Sequence, residues 1–318
     1  MLRYTLKRLV AMVVTLFVVA TATFFILAAV PGDALTERTS KLPEDVAARV
    51  YARYGLDKPV LERYFITMDG ILHGDFGESI VFPGDTVQSV IAEKGPISAR
   101  LGLQQVILGA GVGILLGILA TLRKGTWVDY GVITFSILMV SVPTMVVGLL
   151  IQKVLAGDLG LFPVIGWPTD GDFLEGIEYT VLPTLAGSFG YMAMYARLVK
   201  ASMSDVLGQD YVLAAEARGL SRRQVVLRHM VRNAAIPVVT KLPMTIGMCV
   251  TGSFFVESIF SIPGLGRYYV QAISGRDVTM VMGFTVVIAA LFIAIIFVTD
   301  ILYHLVDPRI KLAGSADC

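Results

Sequence analysis

Residues 9–30, LVAMVVTLFVVATATFFILAAV, run for 22 positions without a charged side chain. A helix needs about 20 apolar residues to cross a bilayer core, so this stretch predicts a membrane span. Arg3, Lys7 and Arg8 stand before it. A basic start also suits a secretory signal peptide, but the apolar run exceeds the ~7–15 residues of such a core. Pro31 directly after Ala28, Ala29 and Val30 makes a poor cleavage site, so we expect the segment to be retained. The whole chain has the same character. Its 318 residues are 55% hydrophobic and 16% charged, against about 25% charged in soluble domains. With a mean hydropathy of +0.74, these values exclude a water-soluble enzyme, a disordered chain and a nucleic-acid binder with a basic surface.

Working outward, residues 101–122, 130–152 and 278–299 are further uncharged runs of span length. Residues 179–196 form a shorter one containing Pro183. Residues 234–256 are long enough if Lys241 snorkels to the interface, with Pro237 and Pro243 bending its start. The expected fold is an all-α membrane protein with six transmembrane helices. Lys and Arg then sort to one side: Arg3, Lys7, Arg8; Arg123, Lys124; Lys200 to Lys241 with five arginines between; Arg309, Lys311. By the positive-inside rule that side is the cytoplasm, which places both termini there. The opposite loop, 158–178, holds five acidic residues and no basic one. Cys249 and Cys318 do not suggest a disulfide. His73, His229 and His304 are too scattered for a metal site.

Four regions follow. Residues 1–30 are the N-terminus and first span; 31–98 an extracytoplasmic helical segment; 99–310 the core with spans two to six; 311–318 a cytoplasmic tail. In the extracytoplasmic segment, helices are expected over 43–54, over 58–72 with Asp57 as N-cap, and over 85–94 ending at Gly95-Pro96. This segment reads either as a cap on the spans or as a docking platform.

The cytoplasmic stretch 200–236 is the most informative. A helix is expected over 204–218, with Val206, Leu207, Ala214 and Ala215 as buried positions. Gly219 suits a left-handed position after it. Ser221 and Gln224 form a capping-box pattern for a second helix over 222–233, with Leu227, Met230 and Val231 as its apolar stripe, ending before Pro237. Small alanines beside a tight corner suit a partner's close approach; a basic hairpin lying on anionic lipid fits the same residues.

Residues 211–237, YVLAAEARGLSRRQVVLRHMVRNAAIP, resemble the EAA loop of ABC-importer permeases, in the form seen in dipeptide, oligopeptide and nickel systems. The stretches MLRYTLKR (1–8), VPGD (30–33), YGLDKP (54–59), HGDFGES (73–79), FSIPGLGR (260–267) and DPR (307–309) resemble the same subfamily, specifically the first permease subunit of the pair. The general loop pattern is Glu-Ala-Ala, three residues, then Gly. Here Leu213 stands where its Glu would be, which weakens a motif role for Glu216.

The resemblance implies a type I ABC importer permease in a bacterial or archaeal inner membrane, with a coupling helix between spans four and five. It implies a second homologous permease, two cytoplasmic ATPases that bind ATP and Mg, and an external solute-binding protein. It implies no enzyme activity and no cofactor in this chain, and indeed no Gly-Lys pair of a phosphate-binding loop occurs in it. The coupling residues it implies are Tyr211, Ala214, Ala215, Glu216, Gly219, Leu220, Arg222 and Arg223, the two arginines facing either acidic ATPase residues or lipid. Peptides are the expected substrate, with nickel or related small solutes as alternatives. Gln104, Gln105, Ser136, Ser188 and Ser253 are polar positions within spans; they either line a pathway or bond their own helices. A secondary transporter driven by an ion gradient is the rival reading. It calls for ionisable residues inside spans, and the first four spans carry none.

Overall fold

The computed structural model describes residues 2–30, 35, 39, 43–168, 176–250 and 253–306. The features expected at 31–33, 307–309 and 311–318, and the acidic positions 170, 172 and 175, lie outside them. The helices are α1 (Leu2–Ala29), α2 (Glu44–Arg53), α3 (Val60–Leu72), α4 (Val87–Leu122), α5 (Trp127–Ser141), α6 (Thr144–Ile151) and α7 (Glu178–Leu207). They continue as α8 (Asp210–Ala217), α9 (Arg222–Gln224), α10 (Arg232–Ala234), α11 (Ile236–Val250), α12 (Phe254–Ile259), α13 (Leu265–Ser274) and α14 (Val278–Val306). Two π-helical stretches, Gln152–Asp158 and Val225–Val231, continue α6 and join α9 to α10. Among the described residues every regular element is helical, apart from one isolated bridge between Glu78 and Thr86.

Three unbroken helices among the described residues are long and apolar enough to cross a membrane: Thr5–Ala29, Val87–Leu122 and Val278–Thr299. The expected span 130–152 is not straight. Trp127–Ser141 and Thr144–Asp158 meet at a bend of 103°, because the residue before a proline is pushed out of the helical region. Val142, before Pro143, takes φ −87°, ψ 125°. The expected span 179–196 lies inside the 30-residue α7, whose buried face includes the polar Thr180 and Ser188. The expected span 234–256 is helical over Ile236–Val250 and again over Phe254–Ile259; its apolar part, Ile236–Cys249, is shorter than a bilayer crossing. Helices therefore stand at all six expected places, and three of them are unbroken apolar spans.

The chain divides into two compact units: residues 1–97 with 263–301, and residues 98–262 with 302–318. In the first, Val87, Val90, Leu265, Tyr268, Met280 and Phe284 form one core cluster, and Ala20, Phe24, Met282 and Val286 another. Asp277, fully buried, stands at the head of α14. Its carboxylate accepts the Met280 N–H at 3.1 Å, the Val81 N–H at 3.0 Å and the Ser79 hydroxyl. This one side chain caps α14 and pins the 79–81 turn. Tyr268 donates to Asp85 at 2.8 Å; burial first, and then this carboxylate, raise its phenol above the ordinary range.

Two expectations about this unit are corrected. Asp57 does not cap α3. Its N-cap is Pro59, without a side-chain bond, since a helix cannot start at Lys58 with proline next. Nor does a helix end at Gly95-Pro96, for α4 runs through both. Pro96 removes only one ladder bond, and Ala92, whose carbonyl loses its donor, is exposed to solvent.

The second unit is built on a close approach of α4 to α7. A Cβ on Gly113 would lie 2.6 Å from the Met192 carbonyl, one on Gly109 2.5 Å from Tyr191 Cβ, and one on Gly117 2.6 Å from the Ala196 carbonyl. Glycine at these positions, spaced by four, lets the two backbones meet. Gly111, in the same run, faces open space.

Candidate coupling corner

The segment over residues 200–236 is built from local signals upward. The helix expected over 204–218 is interrupted: α7 ends at Leu207, Gly208 follows, and Gln209 takes an extended φ −84°, ψ 143° before α8 begins. At the other end of α8, Gly219 has φ +76°, a region open mainly to glycine. Its N–H donates to the Glu216 carbonyl at 2.9 Å, and the Leu220 N–H to the Ala215 carbonyl at 3.3 Å. Those two bonds form a Schellman motif, and Leu220 packs near Ala215 in the same cluster, as such motifs favour. One residue later Ser221 begins the expected capping box. Its N–H donates to Gln224 Oε1 at 3.0 Å, while its hydroxyl accepts the Gln224 N–H at 3.4 Å. The chain reverses over Gly219, Leu220 and Ser221 with the polar backbone groups on both sides engaged.

Beneath the corner lies a core of Tyr195, Val199, Met203, Val212, Ala215, Val225, Val226, Met230, Ala234 and Val238. This differs from the expected pattern. Leu207, Ala214 and Leu227 are exposed, whereas Met203, Val212, Val225 and Val226 are buried. The break at Gly208 and the π-helical turns rotate the inward face away from the one a continuous α-helix would give. The outer face carries Tyr211, Leu213, Ala214, Glu216, Arg218 and Arg223, all exposed. Ala215 is buried as expected, only 4% exposed, and so packs on the chain's own core rather than on the outer face with Ala214. Arg222 turns toward the end of α4, where its guanidinium donates to the Leu122 carbonyl at 3.5 Å.

A second tie lies beside the corner. Lys200 on α7 donates to Asp129 in the first turn of α5, and the other Asp129 oxygen accepts the Gly125 N–H at 3.0 Å. Both side chains are largely buried, 21% and 7% exposed. Sequence reading missed this pair because 71 positions separate its members.

The polar span residues are placed as follows. Gln105 is buried over Gly187 and donates to the Pro183 carbonyl at 3.2 Å. Ser188 is buried and bonds the Leu185 carbonyl of its own helix at 2.8 Å. Ser136 is buried, and its hydroxyl has no partner among the described residues. Gln104 is half-buried and accepts the Thr184 hydroxyl at 3.2 Å. Ser253, also half-buried, donates its backbone N–H to Glu257 at 3.1 Å. Glu257, at the end of the expected span 234–256, is fully buried in α12. Among the described residues no three His, Cys, Asp or Glu side chains are grouped as a metal site.

Residues 113–312, which contain the corner, match the family described as the inner membrane component of binding-protein-dependent transport systems. The chain belongs to this family. Residues 1–81 match the N-terminal membrane component of the same systems. The dipeptide transport system permease protein DppB of Lactococcus lactis subsp. cremoris is 40% identical over 98% of this chain and 100% of its own. The protein of the same name from Bacillus subtilis is 37% identical over 98% and 99%. The oligopeptide transport system permease protein OppB of Salmonella typhimurium is 34% identical over 98% and 100%. This inner-membrane component is accordingly a transport protein and not an enzyme.

Proposed function

We propose that the chain is one of two permease subunits of an ATP-driven importer, carrying peptides handed over by an external binding protein. The observation that carries this reading is the corner at Gly219–Ser221, closed by hydrogen bonds within and exposed without. A lever must not flex where it is pushed, and it must present a face to the part that pushes. The partners on this reading are a second, similar permease, two cytoplasmic ATPases holding ATP and Mg, and the binding protein. Tyr211, Ala214, Glu216 and Arg223 form the face toward an ATPase, Gly219 and Leu220 hold the corner, and Ala215 and Arg222 fasten it to the chain's own helices. We take the chain to cross the membrane six times in a type I permease fold with both termini cytoplasmic, as the sorting of Lys and Arg favours. The names of the relatives favour peptides over nickel as cargo. Gln104 and Ser253, which keep some exposure, are assigned to the pathway ahead of the buried Gln105, Ser136 and Ser188.

The test is uptake of a labelled dipeptide by proteoliposomes holding the assembled complex with its binding protein outside. Uptake should require ATP inside and persist when proton and sodium gradients are collapsed. Uptake driven by a gradient without ATP would instead establish the secondary-transporter reading.

A further inference from the structure

Helix α3 has no buried residue, and Leu61, Phe65, Ile66 and Leu72 on it are exposed, Leu72 by 84%. So much open apolar surface on one short helix calls for a covering. Through Tyr64 α3 is fastened to α1. Tyr64 and Thr21 share a hydrogen bond of 2.9 Å. The Tyr64 ring stacks on Phe25 at 5.2 Å and meets Phe24 edge-on at 5.4 Å. Since α1 is a membrane span, α3 is tied to the last turns of a span by Tyr64, Met68 and Ile71, while Leu61, Phe65 and Leu72 stay in the open. That is the arrangement of a helix lying in the headgroup layer, a depth at which tyrosines such as Tyr64 are enriched.

A cavity of about 380 Å³ opens in the same unit. Its apolar wall includes Phe24 and Leu27 of α1, Ile66 of α3 and Met282 of α14; its polar wall includes Arg63, Asp75 and Glu78. The two carboxylates are held by backbone: Asp75 accepts the Gly77 N–H and Glu78 the Gly84 N–H, both at 2.9 Å. Arg63 is half-buried and its guanidinium has no partner among the described residues. The cavity thus brings the Arg63 guanidinium and two backbone-held carboxylates beside an apolar wall.

We propose that this cavity binds the phosphoethanolamine head of an aminophospholipid, with α3 lying in the headgroup layer beside it. Arg63 takes the phosphate, which its planar fork suits. Asp75 and Glu78 take the ammonium group, and the apolar wall takes the first part of the acyl chains. A choline head has no N–H to donate to the carboxylates, and a glycerol head has no cation, so the site selects the ethanolamine lipid. A peptide also carries an ammonium and an anion, which makes it the competing occupant.

The assembled complex is reconstituted in nanodiscs of mixed phosphatidylethanolamine and phosphatidylcholine, and retained lipids are counted by native mass spectrometry. Phosphatidylethanolamine should be retained preferentially. Arg63→Gln should lower its retention about tenfold, Asp75→Asn with Glu78→Gln should abolish the preference, and Arg49→Gln on α2 should change nothing. Equal retention of the two lipids by the wild type, or an unchanged Arg63→Gln, overturns the proposal. Displacement of bound lipid by dialanine overturns it as well, and assigns the cavity to a peptide. In a separate measurement, Phe65→Trp should add fluorescence quenched by brominated lipid; added fluorescence that stays unquenched overturns the placement of α3.

Discussion

Gly219 sits at φ +76° with no heavy atom near where a Cβ would stand. Space is therefore not what requires glycine there; the backbone angle is. An L-residue in that region costs about 1–2 kcal/mol, and a β-branched one more. Gly219→Val should leave insertion and copurification with the ATPases intact while ATP-driven uptake falls to background. Gly219→Asn, which tolerates the left-handed region, should keep most of it. Wild-type uptake by the valine variant would refute the corner's role. Asp129 makes a different case, because its partner is a buried charge. Removing one member of such a pair costs about 3–5 kcal/mol, so Asp129→Ala should markedly lower the thermal midpoint in detergent. Changing Lys200→Ala as well should restore part of the loss. Gly219, Ser221 and Gln224 were legible in the sequence because their chemistry is local, completed within four residues. The pairs Asp129–Lys200 and Ser79–Asp277 were not, since they are created only when distant segments pack.

At the scale of elements, the seam between α4 and α7 depends on glycines four residues apart. Gly113→Leu would drive a side chain into the Met192 backbone, where overpacking costs about 1–3 kcal/mol. Gly111→Leu, facing open space, should be nearly neutral. The contrast between the two variants in thermal stability measures the seam; equal effects would remove it. Hydropathy placed α1, α4 and α14 correctly because an apolar stretch in lipid has few alternatives to a helix. It missed the bend within the α5–α6 pair, since an average over residues 130–152 does not register what Pro143 does to Val142. The local Gly95-Pro96 stop signal erred the other way and predicted a break where α4 continues. Proline tells where a ladder bond is missing, and the surroundings decide whether the helix stops.

At the scale of the whole molecule, 26 basic and 25 acidic residues nearly cancel, and their placement along the chain carries the information. Cysteines introduced by Arg223→Cys and Asp158→Cys, in a Cys249→Ser, Cys318→Ser background, should react with an impermeant thiol reagent from opposite sides of the membrane. Reaction from the same side would refute the six-span topology. The family was legible from the sequence across nearly the whole chain. The inward face of the corner was not, because the break at Gly208 and the π-helical turns change which residues point in, and no α-helical period contains them.

The bend at Val142–Pro143 has a consequence for how the protein is made. At the end of α5 and the start of α6 several backbone carbonyls and N–H groups fall outside both helical ladders, and lipid offers them no partner. Residues 127–158 are thus unsuited to leaving the insertion machinery alone. They must wait for α7 and α12, against which α6 packs. Release of the nascent chain into the bilayer should then be a late, collective event for this region, delayed until more than a hundred further residues have been synthesised.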